Sequence, residues 1–208
     1  MSNAAPKPDD LPELPPGPPV LYVLSGFSGA GKDSIRDLLM AWGVPVHFTV
    51  TATTRPKRPH EVEGRDYRFV SDAEFDRLEN EDRLIERAIV YGQRKGVPSD
   101  EVIGPLEAGE DVFARVDVQG AFTLRDLIPD AVLIFIAPPS LDEGVRRLQE
   151  RDTEPEDEKR LRSETAAAEM EASKSFDHII VNETGEVEDA ARRVLQIMVD
   201  EKRKRAKR

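Results

Sequence analysis

Apolar runs alternate with amphipathic stretches along most of the chain. "VLYVLSG" (20–26) precedes "SIRDLLMAW" (34–42), "DVFARVDV" (111–118) precedes "GAFTLRDLI" (120–128), and "AVLIFIA" (131–137) precedes "SLDEGVRRLQE" (140–150). A last pair is "HIIVN" (178–182) and a helical pattern from about Val187. Short runs apolar at successive positions read as strands buried on both faces, and the amphipathic stretches read as crossover helices. The pattern therefore predicts an α/β fold with a mostly parallel sheet. Residues 47–98 break the rhythm with shorter, more polar pieces, "HFTVTATT", "DYRFV" and "LIERAIVYG", around a helix expected at Asp72–Leu78. These predict an inserted, largely antiparallel lobe beside the main sheet.

The ends differ from this body. Seven prolines fall in the first nineteen residues, which predicts an extended, unpacked tail over 1–19. Six basic residues between Lys202 and Arg208 close the last helical pattern, where cations complement the helix dipole. With 208 residues, a formal charge of −11 and no cysteine, the chain suits one domain in a reducing cytoplasm, without disulfides or a thiolate metal site. The negative charge speaks against nucleic acid or an anionic membrane as partner, and the longest apolar run is too short to span a bilayer. An anionic ligand then needs a local cluster of positive charge.

One such place is "GFSGAGKDSI" (26–35). A strand expected to end at Ser25, a loop with Gly26, Ser28, Gly29, Ala30 and Gly31, and a helix expected from about Asp33 aim backbone N–H groups and the Lys32 ammonium at one anion. This is a P-loop except at one position, since Asp33 stands where a Ser or Thr hydroxyl would hold Mg²⁺. Two readings of Asp33 stay open, a helix-capping acid or an Mg²⁺ partner, and Ser34 can supply the hydroxyl. A second cluster is Arg55, Arg58 and Tyr67, two guanidinium forks and a phenol suited to a terminal phosphate dianion. The charged, proline-containing stretch 146–164 suits a mobile connection. His47, His60 and His178 have no metal-ligand spacing.

The stretch "TATTRPKRPHEVEGRDYRFVSDAEF" (51–75), with "SGFSGAGKDS" before it and "VDVQGA" and "IVN" after it, resembles guanylate kinase. The resemblance runs from about Val20 to Met198. It implies a P-loop NTPase core with an inserted acceptor-binding lobe and a mobile lid, moving phosphate from ATP to GMP with Mg²⁺. Its layout places core at 20–46 and 99–150, the GMP lobe at 47–98, the lid at about 151–163, core at 164–200 and a basic tail at 201–208. In that family the hydroxyl commonly follows one residue later than in P-loops generally, which matches Ser34. By the same resemblance Thr51, Arg55, Arg58, Tyr67 and Lys95 lie at the acceptor, with Glu86 accepting from guanine N1–H and the 2-amino group and Asp117 near the base. Lys32, Arg55, Arg151 and Arg162 act on the transferring phosphoryl group, while Arg147 and Asn182 attend the donor nucleotide. Small molecules are the expected partners, with the oligomeric state open.

Three positions depart from the family pattern. Lys95 replaces a phosphate-binding Tyr, Val97 replaces a hydroxyl that helps to read guanine, and Arg115 replaces an acid two residues before Asp117. Loss of one such hydrogen bond costs about 1–3 kcal/mol, enough to raise KM without abolishing recognition. Strand alternation puts residues 113, 115 and 117 on one face, so Arg115 either joins the site or snorkels to solvent. Two rivals remain: a P-loop kinase of another phosphorylated acceptor such as ribose 1,5-bisphosphate, and a non-catalytic interaction domain. Retention of Glu86 weighs against the first and Lys32 against the second.

Overall fold

Two of the apolar runs become strands in which every residue is buried, β1 (Leu21–Gly26) and β8 (Val132–Ala137). The computed structural model describes residues 7–59, 61–90, 92–149 and 168–207. The expected lid, with Arg151 and Arg162, lies outside them. Between β1 and β8 the chain forms α1 (Lys32–Ala41), β2 (His47–Phe48), β3 (Ala52–Thr53), β4 (Arg68–Phe69), α2 (Asp72–Asn80), β5 (Leu84–Val90), β6 (Gln93–Pro98), α3 (Ile103–Glu107), β7 (Val112–Arg115) and α4 (Val118–Leu127). After β8 come α5 (Leu141–Gln149), β9 (His178–Val181) and α6 (Val187–Arg205).

The larger sheet has the strand order β2-β7-β1-β8-β9, and the pairs β2–β7 and β8–β9 are parallel. This is the expected α/β architecture. The smaller sheet has the order β4-β3-β6-β5, antiparallel at β3–β6 and β5–β6 and parallel at β3–β4. The run "HFTVTATT", read as one piece of the lobe, is divided: His47–Phe48 pairs with β7, and Ala52–Thr53 pairs within the smaller sheet. Phe48 packs on Phe113 of β7, with ring centroids 5.4 Å apart, so an apolar contact holds the first part to the larger sheet. "RKGVP", not expected as a strand, is the body of β6.

The chain divides into two compact units. One contains Met1–Pro18, Leu24–Pro45 and Val132–Arg208. Within it α1 packs on α6, burying Ile35 and Leu39 of the former and Ala190, Ala191, Val194, Leu195, Met198 and Val199 of the latter. The stripe recurs every three or four residues, as an amphipathic helix requires. The described part of the proline-rich segment forms neither helix nor strand, but it is not unpacked. Asp10 pairs with Arg192 of α6 at 2.9 Å, and Leu11, Pro12 and Leu14 join Trp42, Val44 and Leu195 around a cleft of about 240 Å³. Nor do residues 201–205 form a tail: they continue α6, and Lys202 is buried with its stem near Gly17.

The other unit contains Pro19–Val23 and Val46–Ala131. The Asp111 carboxylate accepts from the Val20 N–H at 2.8 Å, tying the start of β1 to the residue before β7. Ser71 caps α2 by accepting from the Glu74 N–H at 3.1 Å, the side-chain half of a capping box. The turn 62–67 closes on buried Asp66, whose carboxylate accepts from the Val62 N–H at 2.7 Å.

Candidate functional site

In the first unit β1 feeds the glycine loop, and the loop feeds α1, whose N-cap is Gly31. Gly31 has φ +90°, and a Cβ there would stand 2.5 Å from the Asn182 Nδ2. A side chain is thus excluded by both backbone and neighbour. That same Nδ2 donates to the Ala30 carbonyl at 2.7 Å, and Asn182 is buried. Asn182, expected near the donor nucleotide, therefore braces the loop itself. A second brace is Glu169, whose carboxylate accepts from the Ser28 N–H at 3.0 Å.

The Lys32 ammonium donates to the carbonyls of Gly26 and Phe27, at 2.7 and 2.9 Å, which holds it back across the loop. Asp33 and Ser34 are exposed in the first turn of α1. The Gly31 cap makes no side-chain hydrogen bond, so the acid is placed in the favourable first turn but is not the N-cap. Among the described residues no group of three or more His, Asp or Glu could hold a metal. An exposed carboxylate and hydroxyl beside a phosphate loop fit Mg²⁺, which keeps several waters and takes oxygens from bound phosphates. Arg147 of α5 donates to the Asn182 carbonyl at 3.2 Å, to Thr184 at 2.8 Å and to Glu143 at 2.9 Å. Hydrogen bonds from Arg146, Arg147 and Thr184 pull Glu143 down to about 2, so this cluster stays charged at neutral pH.

The second unit gathers the remaining expected residues. Arg55 is buried and forms a two-pronged pair with Glu61: Nη1 donates to Oε2 at 2.7 Å, and Nη2 donates to Oε1. Glu61 also accepts from the Arg58 N–H at 2.8 Å. Burial would raise the Glu61 pKa, but the hydrogen bonds from Arg55 and the Arg58 backbone outweigh it and hold the carboxylate low. Arg55 lies over the Tyr67 ring, 4.8 Å from guanidinium carbon to centroid. Lys95 of β6 approaches the same ring at 5.8 Å and Arg115 at 4.7 Å. Thr51 is buried beside this strand region, its carbonyl accepting from the Arg68 N–H at 2.9 Å.

Glu86 of β5 is only 4% exposed. Burial, then the charge of Asp117, push its pKa up to about 8, while Lys95 opposes them. Val97 is its direct partner across β5–β6 and is fully buried. The wall on the other side is Gly120, where a Cβ would stand 2.7 Å from the Glu86 Oε1. Asp117 caps α4 through the Gly120 N–H at 2.7 Å, so one carboxylate both fixes that helix and repels Glu86. The second unit thus holds a cationic cluster around Tyr67 and a buried acid linked by Lys95, an arrangement that can take an anionic group and a paired-donor group of one ligand.

Sequence reasoning missed Glu61, Gly120 and Glu169. The Asp-x-x-Gly spacing of "DVQG" contains a cap signal that points to Gly120. Glu169 has no such signal, lying 141 residues from its partner.

The guanylate kinase family model matches residues 19–201. A guanylate kinase of Thermobifida fusca is 46% identical over 79% of this chain and 84% of its own. One of Streptomyces coelicolor is 44% identical over 89% and 93%. Guanylate kinase 2, chloroplastic/mitochondrial, of rice is 41% identical over 95% of this chain and 70% of its own. Among solved structures, guanylate kinase of Anaplasma phagocytophilum superposes with a TM-score of 0.75 at 31% identity, covering 90% and 88%.

Proposed function

Because the chain belongs to the guanylate kinase family, we propose that it transfers the γ-phosphate of ATP to GMP, yielding ADP and GDP, with the glycine loop as donor site and the Glu86–Tyr67 region as acceptor site. In the reaction a GMP phosphate oxygen attacks the γ-phosphorus and the bond to the ADP oxygen breaks. Positioning and charge neutralisation do most of the catalytic work.

The observation that carries the acceptor assignment is Glu86, a buried carboxyl walled by Gly120 and Val97. One ionised carboxylate accepts from two parallel donors, N1–H and the 2-amino group of guanine, a pair that adenine lacks. A mismatched base leaves the buried carboxylate unpaired, which gives strong discrimination. Arg55, oriented by Glu61, takes the GMP phosphate with Arg58, Tyr67 and Lys95, and Thr51 and Asp117 border the nucleotide.

On the donor side, loop N–H groups and the helix dipole hold the ATP phosphates, and Lys32 leaves its carbonyl partners for them. Arg147 and Asn182 set the frame of this loop. Asp33 and Ser34, exposed in the first turn of α1, would hold Mg²⁺ directly or through water, and the ion would supply neutralisation of phosphate charge. Arg151 and Arg162 are assigned to the donor phosphates by family position. We place the activity in the cytoplasm; no helix among the described residues is long and apolar enough to cross a membrane.

The test is an ADP-release assay with ATP and Mg²⁺ against GMP, dGMP, AMP, UMP and ribose 1,5-bisphosphate. GMP should give the highest kcat/KM. Another acceptor more than tenfold better would overturn the assignment.

A further inference from the structure

Three cationic side chains converge on the Tyr67 ring. Guanidinium carbons of Arg55 and Arg115 stand 4.8 and 4.7 Å from its centroid, and the Lys95 ammonium 5.8 Å from it. A ring face returns only about 0.5–2 kcal/mol to a cation, and Arg55 is paired with Glu61, but the convergence of three cationic side chains on one ring lets an anion bound there meet several donors at once. Arg115 is the last residue of β7, and the backbone on either side is anchored by Ala114 and Val116, both buried. Its guanidinium is thus directed to the Tyr67 ring from a fixed strand end, not from a mobile loop. A planar fork so placed is suited to grip two oxygens of one phosphate.

We propose that Arg115 is a phosphate-binding residue of the acceptor site, sharing the GMP phosphate with Arg55 across the Tyr67 ring and favouring its dianion. The inference rests on reading the Tyr67 cluster as the acceptor-phosphate site. It separates Arg115 from Glu86: one sets affinity for the charged group, the other for the base.

The experiment is calorimetric binding of GMP and of guanosine, without ATP, to the full-length protein and to Arg115→Gln and Arg115→Lys, at low and high salt. Arg115→Gln should weaken GMP about tenfold or more, leave guanosine unchanged and flatten the salt dependence, because one charge-assisted contact is lost. Arg115→Lys should recover part of the loss. Unchanged GMP affinity in Arg115→Gln overturns the proposal, and so does an equal loss for GMP and guanosine, which marks a general effect on the site. If the unaltered protein binds GMP no tighter than guanosine, the phosphate assignment of the Tyr67 cluster falls and this proposal with it. If it discriminates and Arg115→Gln discriminates equally well, only the role of Arg115 falls.

Discussion

Val97 lies directly opposite Glu86 in the antiparallel pairing of β5 and β6, so a buried carboxyl faces carbon where a hydroxyl would offer it a hydrogen bond. Burial, then the charge of Asp117, push the Glu86 pKa up to about 8, and no hydroxyl at position 97 opposes them. Val97→Thr should lower that pKa and reduce KM for GMP severalfold, with KM for ATP unmoved. Steady-state kinetics against each substrate would check this, and an unchanged KM for GMP would refute it.

Guanine recognition needs Glu86 ionised, whereas in the unliganded protein it is mostly protonated at neutral pH. KM for GMP should therefore fall about fivefold between pH 7 and pH 8 and level off above, with proton release on binding. Calorimetry in buffers of different ionisation enthalpy measures that proton. Stability runs the other way. Because the folded-state pKa is raised from 4.5, the contribution of Glu86 is fully present below about pH 4.5 and is lost as pH rises towards 8. Glu86→Gln should remove this slope in melting curves and raise the KM for GMP at least tenfold.

Gly120 leaves no room for a methyl group beside Glu86. In an ordinary helix Gly→Ala adds about 0.5–1 kcal/mol of stability. Gly120→Ala should instead displace Glu86, raising KM for GMP tenfold or more while the ATP site is spared. A melting temperature within a few degrees of the parent, together with that KM, would separate lost recognition from unfolding.

Glu61 holds buried Arg55 in place. Glu61→Ala strands that charge and should cost about 3–5 kcal/mol, visible as a lower midpoint in urea titration, with a loss of kcat/KM for GMP. The depressed pKa of Glu61 means that its contribution is present above about pH 4.5 and lost as pH falls through its lower folded value. The gap between parent and variant should accordingly narrow in acid.

Asn182→Ala removes the donor that braces the Ala30 carbonyl. KM for ATP should rise about fivefold to tenfold, with KM for GMP little changed. A GMP-selective defect would contradict the division between loop and lobe.

Local patterns carried much of the fold. The runs of β1 and β8 are apolar at nearly every position, and both are buried throughout, so the sheet could be read directly. "HFTVTATT" could not, because it is divided between two sheets by a contact of Phe48 with Phe113 sixty-odd residues away. The P-loop and Arg55, Arg58 and Tyr67 were legible because their chemistry lies in consecutive sequence. What spacing cannot express is the company a residue keeps. Glu61 turns Arg55 from a solvated surface charge into a buried one, and Asp117 with Gly120 determines the protonation and space of Glu86.

The proline-rich segment has a practical consequence. The match to the family model begins at residue 19, yet packing begins earlier, where Asp10 meets Arg192 and Leu11 and Leu14 join Trp42 and Leu195 around one cleft. A domain trimmed by homology alone would bare an apolar patch formed by Trp42 and Val44, just after α1, and Leu195 of α6, so shortened versions for crystallisation or fusion are better started ahead of Lys7, with any tag added upstream.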